Sequence, residues 1–218
     1  MAVLGSTAAS EEYLQAIYTL ADEGGNVIGA RLAAFLGVSA AAVSEMLHRL
    51  QREGMVELDG RKEVHFTKRG ADVAAHVVRR HRLAERMLVD LLGYEWWKTH
   101  EEAERIEHAM SGEMEERLIR VLGDPQTCPH GNPMPGTTPR PTKPLAELGD
   151  GATGTIERIP DQFEHEPGFL RYLDSQGLRP GVALRVLEAR PGEAIRIEVD
   201  GRQRTIRADC GQKVWMRA

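Results

Sequence analysis

Apolar residues recur at the spacing of an α-helix throughout the first half of the chain. Glycines at 24, 37 and 54 separate these stripes, and Ser39 and Thr67 stand where new helices would begin. Helices are therefore predicted over Glu11–Asp22, Ala30–Leu36, Ser39–Glu53, Thr67–Leu92, Trp96–Met110 and Gly112–Leu122. Two short apolar runs, Val56–Leu58 and Val64–Phe66, flank a turn at 59–61 and predict a β-hairpin.

The second half of the chain changes from helical spacing to short alternating runs. Residues 124–145 come first and are too rich in proline for a helix or a central strand, so they predict a linker. Strands are then predicted over Thr153–Ile159, Ala183–Glu188, Ala194–Val199, Arg204–Arg207 and Val214–Met216. Short strands with regular turns are typical of a small β-barrel or sandwich.

The order of these elements predicts an α+β protein of three parts. Residues 1–75 follow the order of a winged helix-turn-helix, in which the capped third helix enters the major groove of DNA. Residues 76–145 predict a helical domain that ends in the proline-rich linker, and 146–218 predict the small β domain. A helical bundle with a hairpin that does not bind DNA has the same order of elements, so this alternative stays open.

Small residues begin the predicted recognition helix, which would let it approach the base edges closely. The methyl groups of Ala40 and Ala41 suit thymine, whereas Glu45 would either accept a hydrogen bond from cytosine or repel phosphate. Lysines and arginines between positions 31 and 69 supply charge for phosphate contacts. The residues predicted to contact DNA are Arg31, Ser39, Ala41, Ser44, Glu45, Arg49, Arg52, Arg61 and Lys62.

The net charge of −5 does not by itself indicate a nucleic-acid-binding protein. Positive charge must therefore be local, or a cation must join the protein before DNA does. The two cysteines, Cys128 and Cys210, match no disulfide framework, which favours a reducing cytoplasm. Residues 1–10 lack a signal pattern and no apolar run is long enough for a membrane span, so no membrane partner is expected.

Acidic and histidine side chains cluster on the helices after the hairpin. Residues three and four apart share a helix face, which places His100, Glu104, Glu107 and His108 on one stripe. Crowded carboxylates repel each other unless a cation lies between them, and a sulfur-free set suits Mn²⁺, Fe²⁺ or Zn²⁺. The alternative is a solvated acidic face. Position 104 would be histidine in a zincin and position 105 glutamate in a di-iron bundle, so neither enzyme motif is present.

The chain resembles the diphtheria toxin repressor family, also called iron-dependent regulators, in several motifs that occur in order. The matching segments are Glu12-Tyr13-Leu14 with Ile17-Tyr18, Val43-Ser44, His81-Arg82-Leu83-Ala84-Glu85-Arg86, Glu107-His108-Ala109-Met110-Ser111, and Cys128-Pro129-His130-Gly131-Asn132-Pro133 with Pro135-Gly136. The resemblance implies that 76–145 is a metal-binding and dimerisation domain and that 146–218 is an SH3-like barrel.

The same resemblance implies a primary metal site formed by Glu12, Glu104, Glu107 and His108. Iron-type members resemble this chain but have methionine and cysteine in place of the first two, whereas manganese-type members have carboxylates there. Hard oxygen ligands suit Mn²⁺. One departure is Gln15, because manganese-type members often have a second acidic residue at that position.

A second site is implied at His81, Glu85 and His100, with Glu166 as the best match for a ligand from the C-terminal domain. Phe169 stands where the family has a neighbouring glutamine ligand. Cys128 and His130 are assigned to a turn-forming linker, and both cysteines are left out of the site.

These features predict a repressor that binds operator DNA as a homodimer when loaded with Mn²⁺ and controls metal-uptake genes. Dimerisation is expected through helices around 76–122. Fe²⁺ is the alternative metal, and Co²⁺, Zn²⁺ or Cd²⁺ would substitute. A winged-helix regulator that senses a non-metal ligand stays open as a second function. The protein is not expected to be an enzyme, because no nucleophile or base is paired in a recognisable motif, which argues against the third alternative, a metalloenzyme.

Overall fold

The computed structural model describes residues 7–217, which divide into two units. The first contains the described residues up to Met87 together with Glu102–Pro125 and Met134–Gly136, and the second contains Leu88–Glu101, Gln126–Pro133 and the described residues from Thr137 onward. Residues 1–6, part of the segment in which no signal pattern is expected, lie outside the described residues.

The first unit begins with the predicted helices and hairpin. Its elements are α1 (Ala8–Asp22), α2 (Gly29–Leu36), α3 (Ala40–Arg52), β1 (Val56–Leu58), β2 (Val64–Phe66) and α4 (Lys68–Arg86). The predicted caps are confirmed, because Ser39 accepts from the Ala42 amide at 3.2 Å and Thr67 accepts from the Gly70 amide at 3.0 Å. Helix α1 begins earlier than predicted, since Thr7 caps it by accepting from the Ser10 amide.

The helices after the hairpin are more broken than the periodicity predicts. Helix α4 ends at Arg86 and continues as a π-helical turn over Met87–Leu91. The segment Trp96–Met110, predicted as one helix, is divided into three pieces, and the middle piece is α5. A regular helix, α6, follows these pieces. The pieces are a 3₁₀ turn at Trp96–Lys98, α5 (Thr99–Ile106), a 3₁₀ turn at Glu107–Ala109 and α6 (Gly112–Leu122). Turns of three to five residues are too short for the spacing of apolar residues to distinguish a 3₁₀ or π turn from an α-helix.

No single helix among the described residues has both the length and the apolar character of a membrane span. The pair α2 and α3, bent by 114°, passes that test jointly by length and composition alone. Both helices contribute to the hydrophobic core described next.

One hydrophobic core joins α1, α3, the hairpin and the start of α4. Its largest fully buried side chains are Leu14, Ile17, Leu32, Leu50 and Met55. The hairpin is antiparallel with Val56 opposite Phe66, so its apolar side faces this core. The position of α1 is therefore fixed to that of α3 through shared packing, as close-packed interiors require.

The second unit is built on an antiparallel sheet with the strand order β3-β8-β4-β5-β6-β7. Its elements are β3 (Lys143–Pro144), β4 (Thr153–Arg158), α7 (Asp161–Glu164), α8 (Phe169–Ser175), β5 (Ala183–Glu188), β6 (Ile195–Val199), β7 (Arg202–Ile206), α9 (Cys210–Lys213) and β8 (Trp215–Arg217). The small β domain is confirmed. The three short helices and β3, which lies inside the predicted linker, were not predicted. Ile156, Leu173 and Ile197 are among the residues that fill the core.

We expect Gly70→Ala to destabilise the first unit. A Cβ at Gly70 would lie 1.8 Å from the carbonyl oxygen of Met55, which is backbone and cannot rotate away. Overpacking of this kind costs about 3 kcal/mol of the free energy of unfolding. Urea unfolding measures it, with Gly60→Ala as the control because nothing lies within 4 Å of its Cβ position. Equal stability of both variants would contradict this packing.

Candidate metal centre

The carboxylate of Glu107 is the centre of a polar cluster in the first unit. Its side chain is only 3% exposed. One oxygen, Oε2, lies 2.5 Å from Nδ1 of His81, and the other, Oε1, lies 3.6 Å from Nε2 of His108. The carboxylate therefore connects two imidazoles.

Two elements of secondary structure bring these groups together. His81 and Glu85 are one turn apart on the buried side of α4, with His81 Nε2 lying 3.4 Å from Glu85 Oε1. The 3₁₀ turn after α5 directs Glu107 into the protein and leaves His108 partly exposed. The turn thus directs these two adjacent side chains in different directions.

A carboxylate from α1 reaches the same cluster. Oε2 of Glu11 lies 2.7 Å from Nδ1 of His108. Glu12, the residue implied by the family resemblance, is exposed in this arrangement, as is Glu104 on α5. Of the predicted primary set, the structure therefore places Glu107 and His108 next to each other and adds Glu11.

The electrostatics of this cluster favour a cation. Burial by itself would lower the pKa of His81, but the carboxylates of Glu107 and Glu85 outweigh it and raise the pKa to about 10. His81 is therefore an imidazolium in the metal-free protein. Carboxylate oxygens and imidazole nitrogens without sulfur are donors that fit Mn²⁺ or Fe²⁺, so the residues present are compatible with such an ion.

A second buried ion pair lies beside this cluster in the first unit. Nε of Arg80 is 3.1 Å from Oε2 of Glu115, and His76 Nε2 is 3.5 Å from the same oxygen. Burial lowers the pKa of His76 although Glu115 opposes the shift. Because Arg80 already neutralises Glu115, this pair serves to hold α6 against α4.

The second unit contains a separate cluster around Glu164. Its Oε2 lies 3.1 Å from Nδ1 of His100 and 3.2 Å from Nδ1 of His130, and the side chain is 1% exposed. The other carboxylate oxygen of Glu164, Oε1, accepts a hydrogen bond from the side-chain amide of Asn132 at 2.8 Å. His100 also contacts Nδ1 of His165 at 3.1 Å. Two imidazoles on one buried carboxylate oxygen again form a set that a divalent cation fits.

The segment Cys128–Pro133 holds this second cluster in place. Its turn is closed by the Gly131 amide, which donates to the Cys128 carbonyl at 3.0 Å. A Cβ on Gly131 would lie 2.0 Å from the Glu157 carbonyl, so only glycine fits there. The predicted turn is present, but Cys128, His130 and Asn132 are all buried.

The residues around Glu164 differ from the set that the sequence implies. Glu166, the implied ligand, is paired with Lys213, and Phe169 is buried in the hydrophobic core. From the sequence, Glu164 and His165 have no predicted site role, and Cys128 and His130 are assigned to a linker. The motif Cys128-Pro129-His130 was the available signal, because two potential ligands in a constrained turn are typical of metal sites.

The residues predicted to contact DNA lie on exposed parts of the first unit. Ala41, Ser44 and Glu45 are exposed on α3, and Arg61 and Lys62 are exposed at the tip of the hairpin. Arg49 pairs with Glu53 at 2.8 Å, and Arg31 donates to the Asn26 carbonyl, so both cations already have partners. Ser39 serves as the cap of α3, and Arg52 is exposed near its end.

Three family models match consecutive parts of the chain. Residues 6–64 match the iron-dependent repressor N-terminal DNA-binding domain, and 67–136 match the iron-dependent repressor metal-binding and dimerisation domain. Residues 143–218 match the FeoA domain. The winged-helix, helical and SH3-like parts expected from the sequence are thereby confirmed.

Whole-length relatives agree with these matches. The iron-dependent repressor IdeR of Mycobacterium tuberculosis is 34% identical over 207 residues, which are 89% of this chain and 90% of the relative. A solved manganese-dependent transcriptional repressor in complex with manganese is 37% identical, with a TM-score of 0.85 over 95% of this chain and 98% of that one. IdeR of T. acidophilum is 29% identical, with a TM-score of 0.76 over 94% and 96% of the two chains. This chain therefore belongs to the iron-dependent repressor family, whose members are metal-dependent transcriptional repressors rather than enzymes.

Proposed function

We propose that this chain is a manganese-dependent repressor that binds operator DNA as a homodimer in the cytoplasm. The observation that carries this proposal is the sulfur-free set of donors around Glu107. Hard carboxylate oxygens favour Mn²⁺ over the softer metals. The similar manganese-dependent repressor supports the same metal. Fe²⁺ is the second candidate because several relatives are named iron-dependent repressors.

The ligands proposed for the primary site are Glu12, Glu104, Glu107 and His108. Two atoms that bind one metal at about 2.1 Å each lie roughly 3–3.5 Å apart. Glu107 Oε1 and His108 Nε2 are 3.6 Å apart, which is close to that spacing. The other nitrogen of His108 is hydrogen-bonded to Glu11. A carboxylate on the free nitrogen of a ligating histidine orients the ring, and we assign that role to Glu11.

The first turn of α1 would connect this site to DNA binding. Glu11 and Glu12 lie there, and α1 shares its hydrophobic core with α3. Manganese, when bound, supplies two positive charges to this acidic cluster. Drawing Glu12 toward Glu107 would restrain α1 and, through the core, the recognition helix. Metal binding would then raise the affinity for DNA, and DNA binding would raise the affinity for the metal by the same factor.

In the second unit we propose Glu164 as the carboxylate that acts with His100, in the role that the resemblance gave to Glu166. Its buried oxygen already contacts the imidazoles of His100 and His130. Glu166 is committed to Lys213. In the first unit, His81 and Glu85 stay proposed metal ligands.

We expect metal titration to decide both the requirement for metal and its identity. Fluorescence anisotropy on promoter DNA is measured with Mn²⁺, Fe²⁺, Co²⁺ and Zn²⁺ in parallel, and with chelator. Mn²⁺ should activate binding, and Glu107→Gln should abolish activation because the central carboxylate is lost. Glu193→Gln, at an exposed turn of the second unit, is the control for charge. Equal DNA affinity with and without chelator would disprove the proposal.

We expect Glu12→Gln to weaken Mn²⁺ binding more than Glu11→Gln does. A glutamine at 12 removes a charged ligand, whereas a glutamine at 11 still accepts the hydrogen bond from His108 Nδ1. Loss of an orienting group costs about 10- to 100-fold in metal affinity, and Glu11→Gln should lie at or below that range. Calorimetric titration measures both constants. A larger loss in Glu11→Gln would make Glu11 the ligand.

We expect the metal-free protein to lose stability as the pH rises from about 7 toward 10. The pKa of His81 is about 10 in the folded protein and about 6.5 when unfolded. The stability that protonated His81 contributes is complete below the unfolded-state pKa and is lost as the pH rises through the folded-state pKa. Between them the slope is at most about 1.4 kcal/mol per pH unit. Urea unfolding with EDTA measures it. His81→Gln should remove this slope and the exposed His65→Gln should keep it, and identical slopes would contradict the assignment.

A further inference from the structure

The exposed face of α3 carries a line of polar side chains opposite its buried face. Val43, Leu47 and Leu50 point into the core of the first unit. The outer face has an open depression lined by Glu45, His48, Gln51 and Arg52. These residues recur at three- and four-residue spacing, so they follow one line along the helix. A major groove that receives α3 would meet this line.

Glu45 is the acidic residue of this line, and its surroundings differ from those of Arg49. Arg49, on the same helix, is held by Glu53 at 2.8 Å. Among the residues that the structure describes, no cation or hydrogen-bond donor is paired with Glu45, which is exposed on α3. DNA phosphates would repel an unpaired carboxylate at this place. Its presence is therefore unfavourable for DNA binding unless a base edge donates a hydrogen bond to it.

The donor pattern of the major groove selects one base for such a carboxylate. Guanine offers only acceptors there, and thymine offers an acceptor and a methyl group. Adenine places an acceptor nitrogen beside its amino group, which would repel the second carboxylate oxygen. Cytosine offers an amino group without an adjacent acceptor. The chemistry of Glu45 therefore fits cytosine best among the four bases.

We propose that Glu45 determines specificity by accepting a hydrogen bond from the amino group of one cytosine in each operator half-site. This proposal rests on the proposed function as a DNA-binding repressor and adds the base that the recognition helix selects. Arg52, about 10 Å further along the helix axis, lies too far from that cytosine to read it and serves the phosphate backbone.

Selection from randomised duplexes tests this assignment with the full-length, Mn²⁺-loaded protein. Wild type should enrich cytosine at one position of each half-site. Glu45→Gln should change the preference at that position to adenine, because glutamine pairs with both the amino group and N7 of adenine. Glu45→Ala should lose the preference. Discrimination at that position should be about tenfold or more, and other positions should stay the same. Glu193→Gln, which removes one exposed charge from the second unit, should select as wild type does.

Three outcomes would overturn the proposal, and they have different consequences for the repressor function. If wild type and Glu45→Gln select the same base at every position, Glu45 does not read a base, and the repressor function stands. The same conclusion holds if Glu45→Gln changes affinity equally for all sequences, because that is the effect of net charge. If wild type retains no duplex when loaded with Mn²⁺, nor in parallel selections with Fe²⁺, Co²⁺ or Zn²⁺, the proposed function fails together with this inference.

Discussion

The crowding of carboxylates around Glu107 is the constraint on which the first unit depends. Glu11, Glu85 and Glu107 come from three separate elements and converge on two imidazoles. Burial removes the water that would screen their repulsion. In the metal-free protein, the imidazolium of His81 supplies a compensating charge. Under the proposed function, a divalent cation would supply more positive charge, and the arrangement of the cluster would then depend on whether the ion is bound.

Helix α1 connects this electrostatic cluster to the proposed DNA surface, because it takes part both in the cluster and in the hydrophobic core. Its first turn carries the acidic residues of the cluster, while its apolar face packs with α3 in one core. A close-packed core transmits a displacement of one helix to its neighbour. One cation of the recognition surface, Arg49, is already paired with Glu53. With a net charge of −5 on the chain, positive charge from a bound metal ion would favour the approach of DNA phosphates.

The sequence predicted much of the fold because local rules decide much of it. The hairpin strands, the caps Ser39 and Thr67, and the limits of α6 follow from turn residues, capping side chains and apolar spacing. The same rules missed the 3₁₀ turn at Glu107–Ala109 and the short helices α7 and α9. Elements of three or four residues are too short for periodicity to show, and long-range packing determines them instead.

The sequence by itself determined the family, the order of domains and the kinds of chemical group in the candidate metal sites. Motifs such as Glu107-His108 indicate the family and the donor types without any knowledge of the folded structure. Only the tertiary structure decided which carboxylates meet which imidazoles. Glu11 rather than Glu12 contacts His108, and Glu164 rather than Glu166 contacts His100 and His130. Residues one or two positions apart have nearly the same sequence signal, but the backbone directs their side chains about 100° apart for each helical step, so only one of them reaches the partner.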